Sequence, residues 1–183
     1  MNRIQSYLDS VEAALKAVKA GGKPVFNDVR VQLDPFDLED VLKQSFKAPA
    51  ARVLLARWKF HRNPDRALDI ICDMAIAVVT KRQGNQAADT LALDLSVVVH
   101  ELVDGNRWGQ TSITAPADLT ARVAVQPSIE NKGLSIVLLG FQQKLLRVTG
   151  GEPRVHGLVL EDGATAPDLT KLQINGEDVE LGP

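Results

Sequence analysis

Apolar residues at Ile4, Tyr7, Leu8, Val11, Leu15 and Val18 return at steps of three and four, and Gly21-Gly22 ends the series. That spacing lines one face of a helix, so an amphipathic helix is predicted over about residues 3–20. A second clean stripe, Leu91, Leu95, Val98 and Leu102, predicts a helix from Ala87 to Val103. Its Val97-Val98-Val99 run lowers intrinsic helix propensity, so burial has to hold the segment helical. Between these two, Asp34-Pro35 reads as an N-cap and first-turn pair, with Asp37, Glu39 and Asp40 favourable in the turn that follows. It predicts a further helix ending near Phe46.

Elsewhere the period drops to two. Pro24 to Val31 has the β-branched content of a short strand. From Ala50 to Phe60, alternation groups Leu54, Ala56, Trp58 and Phe60 on one apolar face and Arg57, Lys59 and His61 on the other. Asn63-Pro64-Asp65 supplies a turn, and Asp69 to Lys81 alternates again through Ile70, Cys72, Met74, Ile76 and Val78, so the two runs form a hairpin. Leu119–Gln126 and Gly133–Leu146 predict a second hairpin around Asn131-Lys132-Gly133. After Thr149 the texture changes. Leu172 to Leu181 carries an Asn175-Gly176 hairpin signal. The reading is an α+β chain: residues 1–149 as one α/β domain, and 150–183 as a C-terminal β-hairpin extension.

The 183 residues suit one ordinary domain, and 45% hydrophobic residues suffice for a core. Only 4% are aromatic, so aliphatic side chains must supply most of it. A formal charge of −2 predicts no strong whole-protein attraction to nucleic acid or anionic membrane. The single cysteine excludes an intrachain disulfide and fits a reducing compartment, or a secreted protein stable without disulfides. Asp9 and Glu12 interrupt what a signal peptide needs to keep apolar, and no stretch approaches the roughly 18 apolar residues of a membrane span. The expectation is a protein made in a cytoplasm, with no membrane partner.

Catalytic chemistry finds little purchase. His61, His100 and His156 are widely spaced, and His100-Glu101 is half of a zinc-peptidase helix without its second histidine. Cys72 with His100 as base is the one nucleophilic pair to weigh, but Cys72 sits on an alternating apolar face. Nucleophile-elbow and phosphate-loop patterns are missing. No catalytic residue, metal or cofactor is expected. The partner-binding candidate is the segment Arg57-Trp58-Lys59-Phe60-His61-Arg62, where cations interleave with aromatics as on a nucleic-acid surface. Alternation sends Trp58 and Phe60 away from Arg57, Lys59 and His61, which favours a solvated or subunit-facing basic strand over base stacking.

One motif stands apart: Asp104-Gly105-Asn106-Arg107-Trp108-Gly109, directly after the Ala87–Val103 helix. Gly105 or Asn106 suits a left-handed helix cap, Arg107 would complement the helix dipole, and Trp108 would close over apolar surface. The leading amphipathic helix, this helix with its Asn106-Arg107-Trp108-Gly109 ending, Ala115-Pro116-Ala117, and a Lys132-Gly133 hairpin leading to Phe141-Gln142-Gln143 together resemble the phage Mu-like tail terminator proteins. The resemblance covers roughly residues 1–148. It implies a mixed, largely antiparallel sheet with helices packed on it. It also implies a non-enzymatic virion protein that forms a ring, commonly six-fold, at the head-proximal end of the tail tube. Such a ring stops tube polymerisation, offers a surface to the neck or connector, contacts tube and sheath proteins, and lets genome DNA pass without specific binding. On charge placement, Arg57, Lys59 and His61 of one subunit would meet Asp37, Glu39 and Asp40 of the next. The alternative is a nucleic-acid-associated module of the particle using the same basic strand.

Overall fold

The computed structural model describes residues 3–33, 47–65, 67–82, 87–124 and 133–148, and the backbone of 171–174 and 177–180. Residues 1–150 and 151–183 separate into two compact units. The chain is α+β, as its patterning predicts.

Helix α1 (Arg3–Ala17) buries Tyr7, Leu8, Val11 and Leu15, the stripe read from the sequence. It ends three residues earlier than expected. Gly21 and Gly22, both at positive φ, turn a miniature hairpin between β1 (Lys19–Ala20) and β2 (Lys23–Pro24), which pulls the preceding residues into extended backbone. The pattern-based strand at 24–31 is therefore divided: Pro24 closes the hairpin, and β3 (Asp28–Gln32) starts after buried Phe26.

β3 runs parallel to β4 (Ala50–Arg62), with Asp28 opposite Ala50. β4 returns as β5 (Leu68–Lys81), and the loop is closed by the Asn63 N–H donating to the Ala67 carbonyl. Helix α2 (Ala88–Val103) follows, then β6 (Ala117–Val123) and β7 (Leu134–Leu145). The five strands form one sheet in the order β3-β4-β5-β7-β6, antiparallel except for the β3–β4 pair. Both hairpins read from the sequence are present. The predicted helix at 34–46, which contains Asp37, Glu39 and Asp40, and the Asn131-Lys132 turn lie outside the described residues. In the second unit, β8 (Lys171–Ile174) pairs antiparallel with β9 (Glu177–Glu180) across the two-residue gap where the Asn-Gly signal was read.

Both helices pack on one face of the sheet. Alternate residues of β5 (Cys72, Met74, Ile76, Val78) and of β7 (Val137, Leu139, Phe141) join the helix stripes in the main core. The opposite face is apolar only along part of its length, where Ala50, Leu54, Ala77, Val79, Leu134 and Ile136 cluster. Within that cluster's strands Arg52 is buried, its guanidinium ion-paired with Asp28 at 2.8 Å and donating to the Ala51 carbonyl. A buried guanidinium needs such a partner to offset its lost hydration.

Candidate assembly surface

Two features singled out in the sequence, the Asn106–Gly109 ending and the basic-aromatic strand, are linked by one row across the sheet. Trp58 on β4 pairs with Cys72 on β5, and Cys72 pairs with Gln143 on β7. Directly paired residues share a face, so all three point to the helix side. Gln143 is where Trp108 arrives.

The segment after α2 is two turns in succession. Asp104 (φ −56°, ψ 123°) and Gly105 (φ 67°) carry type II dihedrals, closed by the Asn106 N–H donating to the Val103 carbonyl at 3.0 Å. Gly105 thus holds the left-handed position, as the first of the two expected alternatives. Asn106 ties off the helix instead: its Nδ2 donates to the Leu102 carbonyl, and its Oδ1 accepts the Trp108 N–H at 2.7 Å. The carbonyls of His100, Leu102 and Val103 are satisfied in this way by the chain itself, in the role expected of Arg107. Arg107 is exposed, and its carbonyl accepts the Gln110 N–H to close the second turn. The central residues of that turn, Trp108 (φ 53°) and Gly109 (φ 70°), are both left-handed. For a bulky residue such as Trp108 this conformation is strained and persists only where surroundings impose it.

The imposing group is Gln143. Its Oε1 accepts the Trp108 indole N–H at 2.6 Å and the Tyr7 hydroxyl at 2.7 Å, while its Nε2 donates to the Asn106 and Thr114 carbonyls, both at 2.9 Å. One buried amide therefore joins α1, the α2 ending, the segment before β6, and β7. Burial pushes the Tyr7 phenol far above its ordinary pKa, so the hydroxyl stays a donor. Among the described residues no buried side-chain polar atom lacks a partner. The Asn106–Gly109 ending is thus built into the core. Its organiser was missed in the sequence, although alternation along β7 does place Gln143 in line with Leu139, Phe141 and Leu145 on an otherwise apolar face.

The free half of β4 is the opposite case. A β-bulge between Leu55 and Arg57 shifts the strand's alternation. Leu54 therefore faces the second side, whereas Trp58 and Phe60, paired with Cys72 and Ile70, face the helix side. The expected single apolar face through Leu54, Ala56, Trp58 and Phe60 does not exist, because the inserted residue reverses the phase. Nor are the two aromatics buried: Trp58 is 52% and Phe60 64% exposed. β3 pairs only with Ala50–Leu54, so no described strand covers the edge from Arg57 to Arg62. From Ala56 onward β4 is exposed on both faces.

Arg57, Lys59 and His61 share the second face, as expected, but among carboxylates of the same chain. Arg57 donates through both Nε and a terminal nitrogen to the Asp73 carboxylate at 2.7 Å, and Gln142 donates to the other oxygen at 2.8 Å. The Gln142 hydrogen bond, opposed by desolvation and helped by Arg57 and the Lys59 charge, holds the Asp73 carboxyl below its ordinary range. Buried Asp69 accepts the Arg147 N–H at 2.8 Å. Desolvation acts to raise its carboxyl, but that bond, the Asn63 side chain and the charges of Lys144 and His61 prevail and keep it low. Lys59 and His61 are exposed. The proposed acidic partners, Asp37, Glu39 and Asp40, are outside the described residues.

Cys72 is fully buried, and burial followed by the Asp73 charge pushes its thiol up to about 11, which keeps it protonated and unreactive. His100 lies on the exposed face of α2. His156 is not among the described residues, which hold no cluster of three metal-ligating side chains. No described helix is long and apolar enough to cross a membrane. The chain matches no protein-family model and no curated protein sequence.

Proposed function

We propose that this protein is a tail terminator of a contractile-tailed phage or phage-derived particle. In this reading it assembles as a closed ring, six-fold by the family resemblance, on the head-proximal end of the tail tube. It stops tube growth and presents a joining surface to the neck, within a virion assembled in the bacterial cytoplasm. It performs no turnover. DNA passes through the ring without specific contacts, and the other partners are the tube protein and sheath. The single observation that carries the assembly reading is the free half of β4, a strand with exposed aromatics on one face, cations on the other and an edge that no described strand covers. Soluble proteins cover or blunt such edges unless a partner uses them. The sequence resemblance supplies the identity of the assembly.

The test is tube length. Tube protein of the same particle, polymerised with and without this protein, is measured by electron microscopy. Capped tubes of limited length carrying a terminal ring are expected. Tubes that grow equally long in its presence refute the proposal.

One observation favours the nucleic-acid reading: Trp58 and Phe60 are exposed and so accessible for stacking. Against it, Asp73 and Asp69 sit among the cations of the second face and offset the field that a phosphate backbone would follow. Salt-dependent binding of single-stranded oligonucleotides that is lost in Trp58→Ala would establish this alternative.

A further inference from the structure

The outward face of α2 carries a second patch that the fold does not use. Leu93 and Val97, one turn apart, are 53% and 57% exposed on an otherwise polar face. At 100° per residue, Asp89, His100, Leu93, Asp104, Val97, Thr90 and Glu101 follow one another around about 120° of the helix. The buried stripe, Ala92, Leu95, Val99 and Val103, lies on the other side. Two bare aliphatic side chains are thus framed by the carboxylates of Asp89, Asp104 and Glu101.

The free end of β4 has the complementary character. Trp58, Phe60 and, by the same register, Arg62 lie on one face, beside an edge that no described strand covers, while Lys59 and His61 lie on the opposite face. We propose that Trp58 and Phe60 of one subunit dock on Leu93 and Val97 of a second copy of this chain. Arg62, the cation on that face, then meets the carboxylates that frame the α2 stripe. This deepens the ring reading above and rests on it.

The partner is chosen by charge and by apolar fit together. Joining two β4 aromatic faces would bring Arg62 against its own copy, and joining two α2 stripes would bring Asp89, Glu101 and Asp104 together. Both like-with-like arrangements are repulsive, while the cross pairing places opposite charges around an apolar centre. Such a contact uses a different patch on each subunit, and each subunit keeps one of each free. That is the head-to-tail interface from which rings are made. Aromatic anchors with a charged rim are also the usual composition of an energetic centre.

The test uses the full-length protein at its highest soluble concentration, with circular dichroism confirming that each variant is folded. Phe60→Cys and Leu93→Cys variants are mixed and oxidised, and the mass in solution is measured by light scattering. The mixed disulfide is expected to form in preference to the symmetric disulfide of either variant, since Cys72 is buried and does not compete. Phe60→Glu and Leu93→Lys should each weaken association roughly tenfold or more. Arg62→Glu combined with Glu101→Lys should associate more tightly than either alone. A closed ring that neither Phe60→Glu nor Leu93→Lys affects overturns the docking and leaves the ring reading standing. Open chains that Phe60→Glu or Leu93→Lys breaks up uphold the docking and overturn the ring. A protein that remains monomeric without the mixed disulfide, or that binds oligonucleotides through Trp58 instead, overturns the inference.

Discussion

The chain has two tryptophans, and they mark opposite uses of one row of the sheet. Trp108 comes from outside the sheet to meet Gln143 at the β7 position of the row, and Trp58 stands at its β4 end, with buried Cys72 between. The first is held by an indole hydrogen bond in a left-handed conformation that a bulky residue avoids. The second is half exposed, on a strand whose described neighbour at that point is β5 alone. Both sit beside an arginine in the sequence, so the local motif does not separate them. What separates them is coverage. Around Gln143, α1 and the turns after α2 close over the face, and every polar group finds a partner. Trp58 is half exposed, and no described strand pairs with the free edge of β4 there. A buried polar network is costly to leave half-satisfied and so fixes one arrangement, whereas an exposed aromatic contributes nothing until something docks on it.

Substitutions should show this contrast as a graded series. Gln143→Leu leaves the Tyr7 hydroxyl, the Trp108 indole and the Asn106 and Thr114 carbonyls without their partner. It should destabilise the protein by about 4 kcal/mol in urea unfolding, because several buried groups lose their hydrogen bonds at once. Trp108→Ala should cost about 3 kcal/mol or more by the same measurement. A stable Trp108→Ala protein that fails to cap tails would instead place the Asn106–Gly109 ending at an interface. Tyr7→Phe removes one of two donors to the same oxygen and should cost about 1 kcal/mol, which separates the network's rim from its centre.

A smaller effect should appear in acid. Partial burial acts to raise the Asp28 carboxyl, but the Arg52 guanidinium, joined by Arg30, outweighs it and holds the group below its ordinary value of 3.8. A carboxylate whose pKa is lower folded than unfolded contributes stability above the unfolded value and loses it as pH falls through the folded one. Thermal unfolding of the native protein should therefore weaken from about pH 4 downward. In Asp28→Asn, which is less stable at neutral pH, that acid dependence should be reduced. An acid profile unchanged in Asp28→Asn would remove the Arg52 pair from the account. The smallest effect belongs to the other tryptophan. Trp58→Ala should change unfolding free energy by no more than about 0.5 kcal/mol. A larger loss would mean that Trp58 belongs to the core.

Spacing alone placed α1 with its core stripe, α2 and the two long hairpins, because periods of 3.6 and 2 are local consequences of backbone geometry. In α2 the buried stripe is Ala92, Leu95, Val99 and Val103, so of the predicted stripe only Leu95 is buried, and Leu91, Val98 and Leu102 are half-buried at its margin. The pattern also located Gly105, since a left-handed position after an apolar helix favours glycine. It set Trp58 and Phe60 opposite Arg57, Lys59 and His61, as the structure has them, but joined them to Leu54 in one apolar face, because the β-bulge after Leu55 is one extra residue that no alternation count can see. Their exposure depends on what other elements cover. Gln143 was legible only as a polar residue in an apolar phase. Its partners come from residues 7, 106, 108 and 114, which only the folded chain brings together. The sequence by itself determined which segments are helix or strand and which side of most of them is apolar, because those follow from neighbours along the chain. Only the tertiary structure decided which tryptophan is core and which is surface, because coverage is a property of packing between distant segments.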